Sequence, residues 1–234
     1  MSTRGTPALL TLRRVLLDLV FPPRCISCHH PGEWFCSECR SHVHHIAPPI
    51  CRRCGQPLSD GTCAHCRRMP LHLDGLRAVA FFEDPLRQII HRFKYESRPE
   101  LGRSLACLLD EYLIENPLPV DVIVPVPLHP QRERARGFNQ SLILARELAS
   151  RKNLPLWYNV IERCRLTQPQ VDLNLPARFE NVRGAFQVVG DVQERRILLV
   201  DDVCTTGATL DACGLALKES GACSVWGLAL ARGR

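Results

Sequence analysis

The sequence predicts an α/β protein, a mostly parallel, doubly wound sheet preceded by a small metal-bound module. Two observations carry that expectation. Four C-x-x-C pairs crowd residues 25–66, and nothing like them recurs downstream. From residue 76 onward, short apolar runs alternate with amphipathic stretches of helical length, the pattern of strands joined through helices. The chain has 234 residues, 45% of them apolar, enough to bury one sizeable core and a small satellite.

At the N-terminus, residues 9–21 are apolar but are interrupted by Arg13, Arg14 and Asp18, in a run shorter than the roughly 20 residues a bilayer span needs. No small-residue cleavage site follows. Residues 1–23 therefore read as an amphipathic helix packing on the body, with no transmembrane segment and no export signal. The formal charge of +6 favours polyanionic partners without demanding one.

Thirteen cysteines in a chain without an export signal point to metal, because cytosolic thiols stay reduced. The pairs are Cys25/Cys28, Cys36/Cys39, Cys51/Cys54 and Cys63/Cys66. A C-x-x-C turn lets two thiolates converge on one ion, and two such turns close a tetrahedral Zn2+ site. Eight thiolates make two sites with no open position for water, so the metal is structural. The short spacings favour sequential pairing, 25–39 and then 51–66, with an interleaved arrangement left open. His29, His30, His42, His44, His45 and His65 fall in the same region and offer a substitute ligand. Residues 24–70 are taken as this double ribbon. Metal drives its folding locally, so that losing Cys25 is expected to leave the body intact.

Arg24, Arg40, Arg52, Arg53, Arg67 and Arg68 suggest nucleic-acid binding by the ribbon, with Trp34 and Phe35 as stacking platforms. Against Glu33, Glu38 and Asp60 the arginines give a formal +3. Two zinc ions contribute +4 and eight thiolates −8, which brings the module to −1. A protein-docking or purely structural ribbon is an equal alternative.

Residues 71–234 form the second unit. Residues 76–82, LRAVAFF, are the first strand; Asp84 and Pro85 then sit where an N-cap and a first helical residue belong. The helix they open runs through Ile89, Ile90 and Phe93, and a second spans about 100–115. There follow a strand over 121–126, a helix over 140–152, a polar stretch, a strand over 196–200, a helix over 208–219 and a strand over 224–231. In such sheets ligands bind beyond the carboxyl ends of the strands.

Residues 197–210, ILLVDDVCTTGATL, are the most informative segment. A buried apolar strand ends on two carboxylates, and a Thr/Gly turn then leads into a helix. The turn can present several backbone N–H groups to an anion, reinforced by the helix dipole. Gly207 permits the close approach this needs. No G-K-[ST] follows, so this is not a Walker loop. Cys204 and Cys213 read as packing residues.

This segment closely resembles the signature of type I phosphoribosyltransferases. The resemblance implies that Asp201 and Asp202 are the catalytic pair, contacting the ribose 2′ and 3′ hydroxyls directly or through Mg2+. It implies that Val203, Cys204, Thr205, Thr206, Gly207, Ala208 and Thr209 cradle the 5′-phosphate. Residues 121–145, with P-V-P-L and R-G-F-N-Q elements, resemble the hallmark of the ComF family. So does 167–186, through Thr167, Gln170, Arg178, Asn181, Val182, Gly184, Ala185 and Phe186. With the cysteine pairs ahead of them, the resemblance spans nearly the whole chain.

It further implies that Pro125, Val126, Pro127 and Leu128 face the pyrophosphate of 5-phosphoribosyl 1-pyrophosphate (PRPP). Arg132, Arg134 and Arg136 either add charge there or lie on a solvated loop, and residues 166–183 stand where related enzymes carry a flexible lid. Three roles follow from the resemblance. The chain serves uptake and processing of single-stranded DNA in natural transformation, or it transfers phosphoribose to an acceptor, or it senses PRPP or a nucleotide while the ribbon docks a partner. The implied partners are PRPP or a ribose 5-phosphate moiety, single-stranded DNA, and a DNA-translocating helicase of the competence machinery. The implied place is the cytoplasm, with a peripheral position at the inner face of the membrane left open.

Overall fold

The computed structural model describes residues 22–58, 63–96, 98–168 and 174–233; the helix expected over 1–23 lies outside them but for its last two residues. Four strands make the main sheet: β1 (Gly75–Phe81), β2 (Val122–Pro125), β5 (Arg196–Cys204) and β6 (Ser224–Arg232). Their order is β1-β6-β5-β2 and every pairing is parallel, with Leu198 opposite Trp226 and Val124 opposite Leu199. The central strands are apolar on both faces because helices cover both.

On one face lie α3 (Leu86–Tyr95), α4 (Leu101–Glu115) and α6 (Gln140–Lys152). Ile89, Phe93, Leu105, Leu109, Leu144 and Leu148 pack there with Leu198, Val200 and Leu228. Gly102 lets α4 approach α6: a Cβ on it would stand 2.3 Å from Ile143 Cγ2. On the other face α8 (Ala208–Glu219) sets Leu210, Cys213 and Leu217 against Ile197, Leu199 and Val225. The helices that follow the adjacent strands β2 and β5 thus leave on opposite faces. That divergence opens a crevice at the carboxyl end of the sheet.

The strands and long helices fall where the sequence put them, and the smaller elements were not foreseen. An antiparallel pair, β3 (Ile161–Arg163) and β4 (Phe186–Val188), is too short to show periodicity. Two short helices also appear, α5 (Pro130–Arg136) and α7 (Leu175–Val182). The expected cap of α3 is corrected: Asp84 receives Arg87 Nε at 2.9 Å and Gln88 Nε2 at 3.0 Å, and no side chain caps the helix.

The cysteine module does not stand apart from the body. Its segment between the two halves runs antiparallel along β1, the edge of the sheet. His45 bridges Ala80, Ile46 N donates to Val79 O at 3.0 Å and Phe81 N to His44 O at 2.9 Å. The first half, with helix α1 (Ser37–Ser41), lies against α3 and α4, and Ile26, Phe35 and Val43 join their core. The second half, with α2 (Ala64–Arg68), reaches the α8 side, where Cys51 and Cys54 join Leu76 and Leu210. The module therefore straddles and closes the exposed edge of the sheet.

This corrects the expected stacking role of Phe35 and sets a test for the expected independence of the ribbon. Phe35 is 1% exposed and cannot stack on a nucleic-acid base, while Trp34 is half-buried beneath the Arg98 guanidinium. The apolar contacts also tie the first ribbon to the body. Phe35→Ala should cost about 3–5 kcal/mol of global stability in denaturant titration. A loss under about 1 kcal/mol would mark the ribbon as an independent unit.

Candidate functional site

The eight cysteines gather into two groups, Cys25, Cys28, Cys36 and Cys39, then Cys51, Cys54, Cys63 and Cys66. Within each, all four Sγ atoms lie within 4.8 Å of one another. Pairing is therefore sequential, and no histidine belongs to either group. Sulfur separations of 3.6 Å (Cys28–Cys36), 3.7 Å (Cys51–Cys66) and 3.5 Å (Cys54–Cys63) are far beyond a disulfide bond. They match the roughly 3.8 Å edge of a tetrahedron with Zn–S bonds of about 2.3 Å. The turns help: Cys39 N donates to Cys36 Sγ and Cys66 N to Cys63 Sγ, each at 3.5 Å.

Electrostatics also call for a cation. Burial opposes ionisation of Cys25, yet the amides around it win and bring it to about 6. Burial, reinforced by neighbouring thiols, pushes Cys39 up to about 12. Four adjacent thiolates repel one another, so a tetrad ionises in full only around a metal. Both tetrads fit Zn2+.

Asp201 and Asp202 lie near the carboxyl end of β5, just ahead of the turn 205–207 that leads into α8. Asp201 Oδ1 accepts Ser141 Oγ at 2.8 Å and Asp202 N at 2.9 Å, which leaves Oδ2 without a protein partner among the described residues. Asp202 Oδ1 pairs with Lys94 Nζ, from the end of α3, at 2.8 Å. Gly207 takes φ +84° at the head of α8, where no side chain caps the helix, and a Cβ there would meet Leu76 Cδ2 at 2.6 Å. Among the described residues none accepts a hydrogen bond from the amides of Thr205, Thr206 or Gly207. Asp201, Val203, Cys204, Thr205, Gly207, Ala208 and Thr209 line a small cavity of about 30 Å³. A turn with amide donors and a carboxylate at one cavity suit a ligand that joins an anion to hydroxyl groups.

Across the crevice, Val126 N donates to Val200 O at 3.0 Å and its carbonyl accepts Asn139 Nδ2 at 3.1 Å, which fixes the turn from Pro125 to Leu128. Arg132 and Arg136 stand on α5 rather than on a loop. Arg132 Nη2 donates to Thr167 O at 2.5 Å; Arg136 bonds Gln140 Oε1 at 2.6 Å and covers the Tyr95 ring. Arg134 is exposed on the same helix. Within 166–183 stands α7, and Gln168 N donates to Asn181 Oδ1 at 3.2 Å and Asn181 Nδ2 to Gln168 O at 3.0 Å. Gln170 lies outside the described residues.

Four side chains at or behind this site escaped the sequence reading: Lys94, Ser141, Arg163 and Arg232. Arg163 is buried, donates to Thr167 Oγ1 and lies over the Phe186 ring.

Burial, and then the charge of Asp202, raise Asp201 from the ordinary carboxylate value to about 7, against the pull of Lys94 and the Ser141 hydrogen bond. A carboxyl that holds its proton more tightly folded than unfolded stabilises the fold at low pH. That contribution is lost as pH rises from the unfolded value of about 4 through about 7. In the ligand-free protein, Asp201→Asn should melt close to wild type near about pH 5 and higher than wild type near about pH 7.5. Calorimetric melting curves that stay parallel across that window would contradict this.

Residues 16–69 match the protein-family model described as "Double zinc ribbon domain". Competence protein F of Haemophilus influenzae is 33% identical over 227 residues, covering 89% of this chain and 97% of that protein. The DNA utilization protein YhgH of Escherichia coli K12 is 33% identical over 219 residues, covering 88% and 96%. Among solved structures, a purine phosphoribosyltransferase from Pyrococcus horikoshii Ot3 aligns over 56% of this chain and 73% of its own, at 24% identity and a TM-score of 0.36.

Proposed function

The chain belongs to the competence protein F family, and from that premise we propose that it binds a phosphoribosyl group at the carboxyl end of β5, in the handling of DNA taken up by the cell. The relatives' names, competence protein and DNA utilization protein, support the second half of this reading. One observation carries the first half. Asp201, Thr205 and Gly207 line one small cavity at a helix N-terminus, where among the described residues the amides of residues 205–207 have no acceptor.

In this reading the amides and hydroxyls of residues 204–209 hold the 5′-phosphate, helped by the positive end of α8. Asp201 Oδ2 accepts a ribose hydroxyl or ligates Mg2+, a hard cation suited to carboxylate oxygen. Ser141 and Lys94 hold the two carboxylates apart, so that each keeps a fixed direction. Bound Mg2+ would offset charge on a diphosphate. On the far wall the turn from Pro125 to Leu128 faces that diphosphate, and Arg132 lies within reach of it. The conformation of Arg132 is set by the Thr167 carbonyl. Should transfer occur, these groups act by positioning and charge stabilisation, and the proton of the acceptor needs a base that the described residues do not single out.

The test is titration of the full chain with PRPP and Mg2+, alongside pyrophosphate release with panels of nucleobases and with single-stranded DNA. Binding supports the pocket. Turnover identifies a transferase, binding without turnover a sensor, and steeply salt-dependent affinity for single strands a direct role on DNA. Absence of binding by PRPP and by ribose 5-phosphate would overturn the reading.

A further inference from the structure

We propose that Arg232 is a positioning residue through which the second cysteine tetrad holds the phosphate loop in its binding shape. The inference rests on the reading that the loop takes a 5′-phosphate, and adds what governs that site.

Arg232 closes β6, whose residues 225–231 are apolar, and is 2% exposed. Its Nη2 donates to the carbonyl of Cys54, a member of the second tetrad, and its Nη1 reaches the carbonyl of Thr205 in the phosphate loop at 3.5 Å. Its Nε has no partner, and among the described residues no carboxylate pairs with it. A buried guanidinium without an anion is costly. Two anions can supply what the side chains do not. A zinc ion on four thiolates carries a net charge of −2 and would lie beside the Cys54 carbonyl. A phosphate held by the 205–207 amides would lie beyond the Thr205 carbonyl. The cation thus stands between a structural anion and the anion of the ligand.

Packing follows the same line. Leu76 N donates to Arg53 O at 2.7 Å, and a Cβ on Gly55 would stand 2.4 Å from Leu76 O. Leu76 Cδ2 in turn fills the space beside Gly207. Gly233 N donates to Cys204 O at 3.0 Å, which fastens the strand end next to Arg232 onto the start of the loop. The ring of His65, between two tetrad cysteines, is lodged beside the Thr206 backbone. Arginine suits the position because its planar fork reaches two carbonyls at once. Loading of the second tetrad and occupation of the phosphate loop should then favour each other, and such linkage is reciprocal.

The experiment uses the full chain with both tetrads loaded. Zinc affinity is measured by equilibrium competition with a zinc-selective chelator, with and without saturating PRPP and Mg2+. PRPP should tighten one of the two zinc ions about tenfold and leave the other unchanged. Arg232→Met, still carrying two zinc ions, should bind PRPP about tenfold more weakly and lose that protection, with Arg232→Lys falling between. Protection of one zinc is a readout that a merely structural arginine would not move. PRPP binding to wild type with neither zinc affected overturns the proposal, as does Arg232→Met binding PRPP as tightly as wild type. If Arg232→Met fails to fold, the wild-type zinc competition decides alone. Failure of wild type to bind PRPP at all would instead remove the reading of the pocket, and this inference with it.

Discussion

Cys54→Ser should destabilise the whole protein, by about 4 kcal/mol or more, and not the ribbon alone. Cys54 is fully buried, and its neighbours include Leu76 at the start of β1 and Leu210 in α8. Serine removes one of four ligands. The structural zinc is then held by three thiolates, and the ribbon's contribution to the core beneath it weakens. Because Arg53, Cys54 and Gly55 engage Leu76 and Arg232, the loss spreads to the sheet edge and the end of β6. For a domain of about 150–250 residues, 4 kcal/mol corresponds to a fall in Tm of about 8–16 °C. The expected melting curve keeps a single transition at lower temperature. Two transitions, with the upper one unmoved, would show that ribbon and body unfold separately.

The same contacts show where the sequence was legible and where it was not. The tetrads and the strand end could be read because their chemistry is concentrated: a C-x-x-C turn and a D-D-x-x-T-T-G run each declare a function within a few residues. The surface on which the ribbon rests could not be read, because cysteine spacing describes the metal and not the neighbour. Phe35 illustrates this, since an aromatic between two ligands looks the same whether it faces solvent or joins the core of the body. Lys94, Ser141 and Arg232 are held only through tertiary pairing across 60 to 178 residues of chain, and no local pattern marks them. The helix α5 is a different case, because its signals were present. Pro130 occupies its first turn after a His129 cap, and Gly137 takes φ +90° at its end. A proline after a capping histidine and a glycine seven residues on mark such a helix, and they are easily masked by the charge of the arginines between them.

Substituting the acidic pair bears most directly on function. Asp201→Asn with Asp202→Asn keeps the shape of the strand end while removing two charges and the acceptor capacity that a ribose diol or Mg2+ requires. Mutual repulsion alone would suggest that the double variant is more stable, but the structure divides the two residues. Asp201 is the strained carboxyl, raised to about 7, whereas Asp202 is matched to Lys94. Stability should rise with Asp201→Asn alone and fall with Asp202→Asn, whose loss leaves Lys94, largely buried, without its anion.

Affinity should follow a different order, with both single variants weaker than wild type and the double variant weakest. The central claim is that the end of β5 reads a phosphoribosyl group, and calorimetric titration of PRPP with Mg2+ into wild type and the double variant tests it most directly. A fall in affinity of at least about tenfold, or about 1.4 kcal/mol, is the predicted result. Equal affinity in a folded double variant would show that the acidic pair does not read the ribose, and would contradict the account.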